Sequence, residues 1–179
     1  MSVNNKILDL KSLKLIRNRL KKKKIILCHG VFDLLHVGHI NYFKAARKLG
    51  DILVVSITDD KFVNKGPGRP AFSISNRIKF LLEINCVDYV CVSSFNTAET
   101  IILNLRPNFY CKGNEYTQKK IKFDNNLKEE LIALKSVKGK FKTINKTSFS
   151  SSKFINDNAY QDLDLGSKKF IEEIRKKYS

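Results

Sequence analysis

"HGVFDLLHVGH", residues 29–39, is the stretch of sequence that decides the fold of this chain. An apolar run at residues 25–28 comes directly before it, and a helical pattern at residues 40–49 comes directly after it. This order predicts a buried strand, a glycine turn and the start of a helix. His36 and His39 then lie three residues apart, on one face of the first helical turn. Because a helix start offers free backbone N–H groups and partial positive charge, we expect the segment to attract phosphate.

Apolar runs and helical patterns alternate along the rest of the chain. The expected strands are residues 25–28, 52–57, 89–92, 108–111 and 141–144, and the expected helices are residues 39–49, 75–84, 97–105, 127–134 and 150–156. Strands that are apolar throughout belong to parallel sheets covered on both faces. The predicted fold class is therefore α/β, a Rossmann-like doubly wound five-stranded parallel sheet with helices on both faces.

Three regions are expected along the chain. Residues 1–24 form an N-terminal amphipathic helix, because its apolar residues recur at helical spacing from Leu10 to Leu20. Residues 25–156 form the main domain, and residues 157–179 form a C-terminal helical tail. A chain of 179 residues is long enough for one domain with a substantial core and short appendages.

Composition narrows the class of protein. The net charge of +17 comes from 34 basic and 17 acidic side chains and favours anionic partners. Such partners include nucleic acid, an anionic membrane surface and a phosphorylated small molecule. Apart from residues 21–24 the lysines are dispersed, so we do not expect a nucleic-acid partner. No apolar run reaches the ~18 residues that span a membrane, and no signal peptide is visible. The four cysteines are scattered without a metal-binding or disulfide pattern, which favours a cytoplasmic protein with reduced thiols.

Four polar segments follow predicted strands, at residues 29–39, 58–70, 112–116 and 147–152. The carboxyl ends of parallel strands meet at one edge of the sheet, so these segments are expected to converge on one pocket. Neither of the two common glycine-rich nucleotide fingerprints is present. Instead, all three histidines fall within eleven residues around one turn, where imidazole N–H groups can donate to a triphosphate.

Residues 28–39 resemble the signature of the cytidylyltransferase-like nucleotidyltransferases, and the resemblance extends from about residue 25 to residue 156. It includes residues 58–70, 76–77, 87–90, 106–116 and 149–155. Two branches are similar, one activating heptose 1-phosphate with an adenylyl group and one activating glycerol 3-phosphate with a cytidylyl group. This sequence is more similar to the heptose branch, because Lys112, Gly113 and Tyr116 match the sequence pattern of that branch.

The resemblance implies transfer of a nucleoside monophosphate from ATP or CTP to a sugar phosphate or a small phosphorylated alcohol, releasing pyrophosphate. The product would be an activated precursor for surface polysaccharide. The residues expected to act in catalysis are His36, His39, Lys65 and Arg77. Those expected to bind the nucleotide are Gly30, Val31, Phe32, Asp33, Gly38, Lys112, Gly113, Ser150, Ser151 and Ser152. Arg69, Tyr116 and Lys44 are weaker candidates for contacts with the substrates.

Mg²⁺ is the expected cofactor, carried on the phosphates with few protein ligands. Asp33 is expected either to orient the turn or to help hold this ion. The resemblance also leaves a homodimer and an associated sugar-kinase activity open, and neither base is favoured. The alternative functions are a basic, non-catalytic nucleic-acid-binding domain and a fragment of a class I tRNA synthetase. The second synthetase signature, Lys-Met-Ser-Lys-Ser, is absent from the sequence.

Overall fold

The computed structural model of the chain describes residues 6–66, 68–114, 116 and 124–144. These residues belong to one compact unit, Met1–Thr147. The helix predicted at residues 150–156 and the helical tail predicted at residues 157–179 lie outside the described residues.

Six parallel strands form a single sheet in the order β1-β4-β3-β2-β5-β6. Their bounds are Ile7–Leu8 (β1), Ile25–Gly30 (β2), Ile52–Thr58 (β3), Tyr89–Ser93 (β4), Phe109–Gly113 (β5) and Lys140–Ile144 (β6). The prediction of five strands was therefore wrong by one. The extra strand, β1, has only two residues, which pair with Val90 and Cys91 of β4. A two-residue strand is too short to show a periodic pattern, so only its neighbour in the sheet reveals it.

Five α-helices lie among the described residues: Leu10–Arg19 (α1), Val37–Arg47 (α2), Ile74–Leu82 (α3), Glu99–Leu105 (α4) and Asn125–Ser136 (α5). Four of them begin at a side chain that accepts a hydrogen bond from the first turn, namely Asp9, His36, Ser73 and Asp124. Such caps satisfy backbone N–H groups that have no partner inside the helix, typically stabilising it by about 1 kcal/mol. Local sequence therefore determines where these helices start.

The alternating side chains of β2 supply two separate cores. Ile25 and Leu27 pack in the core that contains the buried residues of α1, α4 and α5. Ile26 and Cys28 pack in the core that contains those of α2 and α3. Because successive strand residues point to opposite faces and both faces are covered, the central strands are apolar at most positions. The predicted coverage of both faces follows from this pattern.

The strand order reverses beside β2. The chain adds β3 and β4 on one side of β2, then returns to place β5 and β6 on the other side. Parallel sheets leave a crevice at the carboxyl ends of the strands where the order switches. In this protein the crevice lies between the ends of β2 and β5, next to the turn that follows Gly30.

The described part of the chain has no helix long and apolar enough to cross a membrane. All four cysteines are free, and Cys28, Cys91 and Cys111 are buried in the sheet. Burial raises the pKa of the Cys91 thiol to about 12, so it stays protonated and behaves as a small apolar side chain.

Candidate active site

The turn after β2 holds the backbone in an unusual conformation. Phe32 has a φ of 47°, in the left-handed region that non-glycine residues rarely occupy. Its buried ring packs edge-on against His39, with 5.7 Å between ring centroids, and against Phe43 at 5.0 Å. A Cβ atom at Gly30 would lie 3.2 Å from this ring, so a glycine suits the tight approach. Strain maintained by packing in this way is characteristic of functional turns.

The two predicted histidines lie together at the start of α2. The rings of His36 and His39 have centroids 4.0 Å apart. Nδ1 of His36 accepts a hydrogen bond from Gly38 N at 3.0 Å, which makes His36 the N-cap of the helix. Since Nδ1 accepts this hydrogen bond, Nε2 is the ring nitrogen that carries a proton. Gly38 is buried in the first turn of α2, and its N–H donates to the His36 cap.

An open cavity of about 680 Å³ lies at the switch point of the sheet. Eight of its lining residues were predicted from the sequence: Gly30, Val31, Phe32, His39, Lys65, Lys112, Gly113 and Tyr116. They come from the ends of β2 and β5, the start of α2 and the loop after β3. The tertiary structure therefore brings three of the four predicted segments to one place.

Asp33 is buried and anchors the loop that follows β3. Its two carboxylate oxygens accept hydrogen bonds from Ala71 N at 2.9 Å and Phe72 N at 3.0 Å. Arg69 Nε lies 2.8 Å from Asp33 Oδ2 in an ion pair whose angle does not satisfy a hydrogen bond. Both oxygens of Asp33 are therefore used within the protein. This agrees with orientation of the turn, and it does not fit the other predicted role of Asp33 as a magnesium ligand.

Arg69 does not take the position predicted for it. Its side chain is only 10% exposed and pairs with Asp33, whereas the prediction placed it on a loop reaching for substrate phosphate. The sequence could not show this pairing, because the two residues are 36 positions apart and meet only when the loop folds back on the turn.

Arg77 is fully buried, which contradicts the prediction that it contacts phosphate directly. Nε donates to Phe72 O at 3.0 Å, and Nη1 donates to Val31 O at 2.6 Å. Nη2 donates to Thr58 O at 2.9 Å and pairs with the Asp60 carboxylate. The guanidinium therefore joins the ends of β2 and β3 to the start of α3. The sequence correctly marked Arg77 as a residue with strong polar contacts, but those contacts are with the protein's own carbonyl and carboxylate oxygens.

The remaining predicted residues fall into three groups. Lys65 is exposed at the cavity, and Tyr116 is half-buried beside it. Lys44 is exposed on α2 near Cys86 and is not among the residues that line this cavity, so its contact with a substrate stays a prediction. The three serines predicted to bind the nucleotide lie outside the described residues: Ser150, Ser151 and Ser152.

Lys112 lies at the end of β5, where it is buried against the cavity wall. Its Nζ atom is 3.2 Å from Oε2 of Glu130, a buried carboxylate on α5. The same ammonium lies over the rings of Tyr110 and Tyr116, at 5.3 and 5.1 Å from their centroids. Glu130 was not predicted, because a single acidic residue within a helical pattern carries no signal until the helix docks on the sheet.

His29 is a further residue of the cavity wall that the sequence analysis did not select. It is buried, and its Nδ1 lies 3.1 Å from Ser56 Oγ. Desolvation by burial and, secondly, the positive charge of Lys112 lower the pKa of His29 well below its usual 6.5. The ring is therefore neutral at pH 7 and presents a polar, uncharged surface to the cavity. The position of His29 directly before Gly30, at the predicted turn, is the sequence feature that could have identified it as a cavity residue.

A neutral buried His29 makes stability depend on pH. Below pH about 6.5 the unfolded chain binds a proton at this position and the folded protein does not, so the free energy of unfolding falls as the pH falls. We expect His29→Gln to remove this term, which amounts to about 1.4 kcal/mol per pH unit. Urea unfolding of both proteins at pH 7.5, 6.5 and 5.5 measures it. Parallel pH profiles for the two proteins would show that His29 is protonated in the fold.

Tyr42, Thr58 and Asn96 also line the cavity without having been predicted. Tyr42 is buried on α2 and donates from its hydroxyl to Cys111 O at 2.6 Å. Its position within an apolar helical pattern resembled that of an ordinary core residue. Thr58 and Asn96 follow β3 and β4, so their positions after strands were the signal that could have found them.

The described residues bring together no group of three or more histidine, cysteine, aspartate or glutamate side chains able to hold a metal ion. With Asp33 committed to the loop, the described part of the site does not provide a protein-built magnesium cage. The cavity is instead lined by lysines, imidazoles and the backbone of a glycine turn. Such groups suit a polyphosphate, which they contact by hydrogen bonds and charge.

A strand, a glycine turn and a helix start with two histidines meet at the switch-point cavity, as the resemblance to the nucleotidyltransferases predicts. The chain belongs to the Cytidylyltransferase-like family, whose model matches residues 27–160. The match runs from the third residue of β2 through β6 and includes all the cavity residues named above. The predicted family resemblance is confirmed.

Curated relatives and solved structures agree with this assignment. The chain is 37% identical over 121 residues to the bifunctional protein HldE of Helicobacter hepaticus, covering 66% of this chain and 25% of that protein. It is 43% identical over 115 residues to HldE of Desulfatibacillum aliphaticivorans, covering 62% of this chain and 24% of that protein. The chain therefore spans about a quarter of the length of these relatives.

Two solved structures share the fold. One is the lipopolysaccharide core biosynthesis protein from Thermoplasma volcanium, with a TM-score of 0.55 and 27% identity, covering 72% of this chain and 99% of that chain. The other is a pantoate-beta-alanine ligase from Francisella tularensis, with a TM-score of 0.56 and 18% identity, covering 94% of this chain and 77% of that chain. The second supports the fold alone.

Proposed function

We propose that the protein transfers a nucleoside monophosphate from ATP or CTP to a sugar phosphate, releasing pyrophosphate. The observation that carries this proposal is the cavity at the end of β2, which is lined by His39 and Lys65 beside a strained glycine turn. This set of groups offers hydrogen-bond donors and positive charge to a polyphosphate, and no nucleophilic side chain is needed for the reaction.

In this reaction a phosphate oxygen of the acceptor attacks the α-phosphorus of the nucleotide. The new P–O bond forms as the bond to the bridging oxygen of pyrophosphate breaks, so the enzyme forms no covalent intermediate. His36 and His39 would donate hydrogen bonds to the phosphates, and Lys65 would offset the charge that develops on pyrophosphate. The nucleotide would enter as its Mg²⁺ complex, since the ion is held mainly by phosphate oxygens.

A sugar phosphate is the favoured acceptor because HldE proteins are among the relatives, at 37–43% identity in the two cases above. The Thermoplasma volcanium protein, which acts in lipopolysaccharide core biosynthesis according to its name, supports a precursor for surface polysaccharide. We extend the proposal to an accompanying sugar-kinase activity, which would supply the acceptor phosphate. The proposal includes ATP and CTP as equal candidates for the nucleotide. It also includes a homodimer as the oligomeric state.

The proposal is tested first by ligand binding and then by turnover. We expect one of ATP, CTP, GTP or UTP, with Mg²⁺ and at 100 times its dissociation constant, to stabilise the fold by about 2.7 kcal/mol in thermal unfolding. The same nucleotide should release pyrophosphate when a panel of sugar 1-phosphates and glycerol 3-phosphate is added. Stabilisation by none of the four nucleotides, in a folded protein, would contradict the proposal.

A binding assay with RNA and DNA separates the alternative function. A nucleic-acid-binding domain predicts affinity that falls steeply with salt, because several counterions are released per complex. We expect weak, salt-sensitive binding from the surface charge and no competition with the nucleotide. Tight binding of nucleic acid together with no pyrophosphate release would favour the alternative.

A further inference from the structure

A buried carboxylate on α5 lies directly behind the cavity wall. The side chain of Glu130 is 2% exposed. Its Oε1 accepts a hydrogen bond from Ala98 N at 2.9 Å, and its Oε2 accepts one from the Tyr110 hydroxyl at 2.7 Å. Oε2 is also 3.2 Å from Lys112 Nζ. Nε2 of His29 lies 4.0 Å from Oε1. Because a buried charge is costly unless it is paired and hydrogen-bonded, these four neighbours hold the carboxylate in one place.

Lys112 carries the positive charge of this cluster to the cavity. Its side chain is 8% exposed, and its ammonium lies near the faces of Tyr110 and Tyr116. A lysine side chain is long and flexible, so an ammonium keeps one position only if its surroundings impose it. Here the aromatic rings contribute through cation–π attraction, and Glu130 contributes through charge and a fixed hydrogen-bond direction.

We propose that Glu130 is a positioning residue for nucleotide binding and that it acts through the ammonium of Lys112. The inference rests on the proposed function, since it takes the cavity that Lys112 lines to be the nucleotide site. With Glu130 present, the Lys112 ammonium is paired and buried at the cavity wall. Without it, a buried ammonium loses its counter-charge, and the side chain turns toward water and away from the ligand.

The experiment measures the dissociation constants of ATP and CTP, each with Mg²⁺, by calorimetry. The proteins are the full chain, Glu130→Gln, Lys112→Met and the double variant. We expect Glu130→Gln and Lys112→Met each to raise the dissociation constant of the bound nucleotide about tenfold. The double variant should bind no more weakly than Lys112→Met, because Glu130 acts only through the lysine. Glu129→Gln, an exposed neighbour on the same helix, is the matched control and should change binding less than twofold.

A purely structural role for Glu130 predicts a different pattern. In that case Glu130→Gln has a lower unfolding temperature, but its nucleotide dissociation constant stays near that of the full chain. Alternatively, Glu130→Gln weakens nucleotide binding by the same factor whether or not Lys112 is present. Either result overturns the inference while the proposed function stands. If neither ATP nor CTP binds the unaltered chain, the proposed function and this inference fall together.

A milder variant covers the case in which Glu130→Gln does not fold. Tyr110→Phe keeps the ring and removes only the hydroxyl that donates to Oε2 of Glu130. We expect it to raise the dissociation constant about threefold, because the carboxylate that aims Lys112 is then less firmly held. An unchanged dissociation constant in this folded variant overturns the inference.

Discussion

Replacing His36 and His39 together with alanine is expected to lower the rate of pyrophosphate release about 10⁴-fold, if each imidazole contributes about 10²-fold and the two effects add. The physical reason is their place at the start of α2, where the ring centroids lie 4.0 Å apart and His39 lines the cavity. The measurement is kcat under saturating nucleotide, with the single variants alongside. The nucleotide dissociation constant should change much less than kcat if the imidazoles act mainly on the transition state.

The cap made by His36 requires its own control. Alanine at this position also removes the hydrogen bond from Gly38 N, which costs about 1 kcal/mol of helix stability. His36→Asp keeps an acceptor for that N–H but offers no donor to phosphate, so it should be as stable as the unaltered chain and nearly as inactive as the alanine variant. Normal turnover by a folded double-alanine protein would contradict the proposed mechanism.

Arg77→Met is expected to destabilise the fold by about 3 kcal/mol or more. The substitution leaves three carbonyl oxygens, those of Val31, Thr58 and Phe72, without their donor, and it leaves the Asp60 carboxylate without its cation. Urea unfolding at pH 7 measures the change. Because two of these carbonyls belong to residues of the cavity wall, turnover should also fall while the protein is still folded.

Lys79→Met is the matched control for Arg77→Met. Lys79 lies on the same helix, is exposed, and should change the free energy of unfolding by less than about 0.5 kcal/mol. A second comparison, Arg77→Lys, keeps the positive charge but supplies one nitrogen in place of three donor nitrogens, so it should be nearly as destabilising as methionine. Equal stability of Arg77→Met and Lys79→Met would show that the buried contacts of Arg77 contribute little.

Most of the cavity wall could be predicted from local sequence. Gly30, Val31 and Phe32 form the turn after β2, and His39 follows within nine residues, so one motif specified four of the twelve lining residues. Lys112 and Gly113 were predicted from their place after a predicted strand and from the resemblance of residues 112–116 to the family. The α/β class and the helix starts at capping residues were equally local, because an apolar run or a cap acts within a few residues of itself.

Errors arose where a residue type allowed two partners. Arg69 and Arg77 were each expected to contact phosphate, and each pairs instead with a carboxylate of the protein, Asp33 or Asp60. A guanidinium binds carboxylate and phosphate by the same geometry, so its chemistry alone does not select between them. The choice is made by which group lies nearest once the loop after β3 has closed over the turn.

What the sequence by itself determined is the parallel α/β sheet, the family and the histidine-bearing turn at the cavity. These features depend on the spacing of apolar residues, on the positions of glycines and on helix-capping residues, all of which act over a few residues of the chain. Only the tertiary structure decided the sixth strand, the burial of Arg77 and the meeting of Glu130 with Lys112. Each of these is a contact between segments far apart in the chain, formed because the sheet brings helix α5, strand β5 and the loop after β3 to one edge.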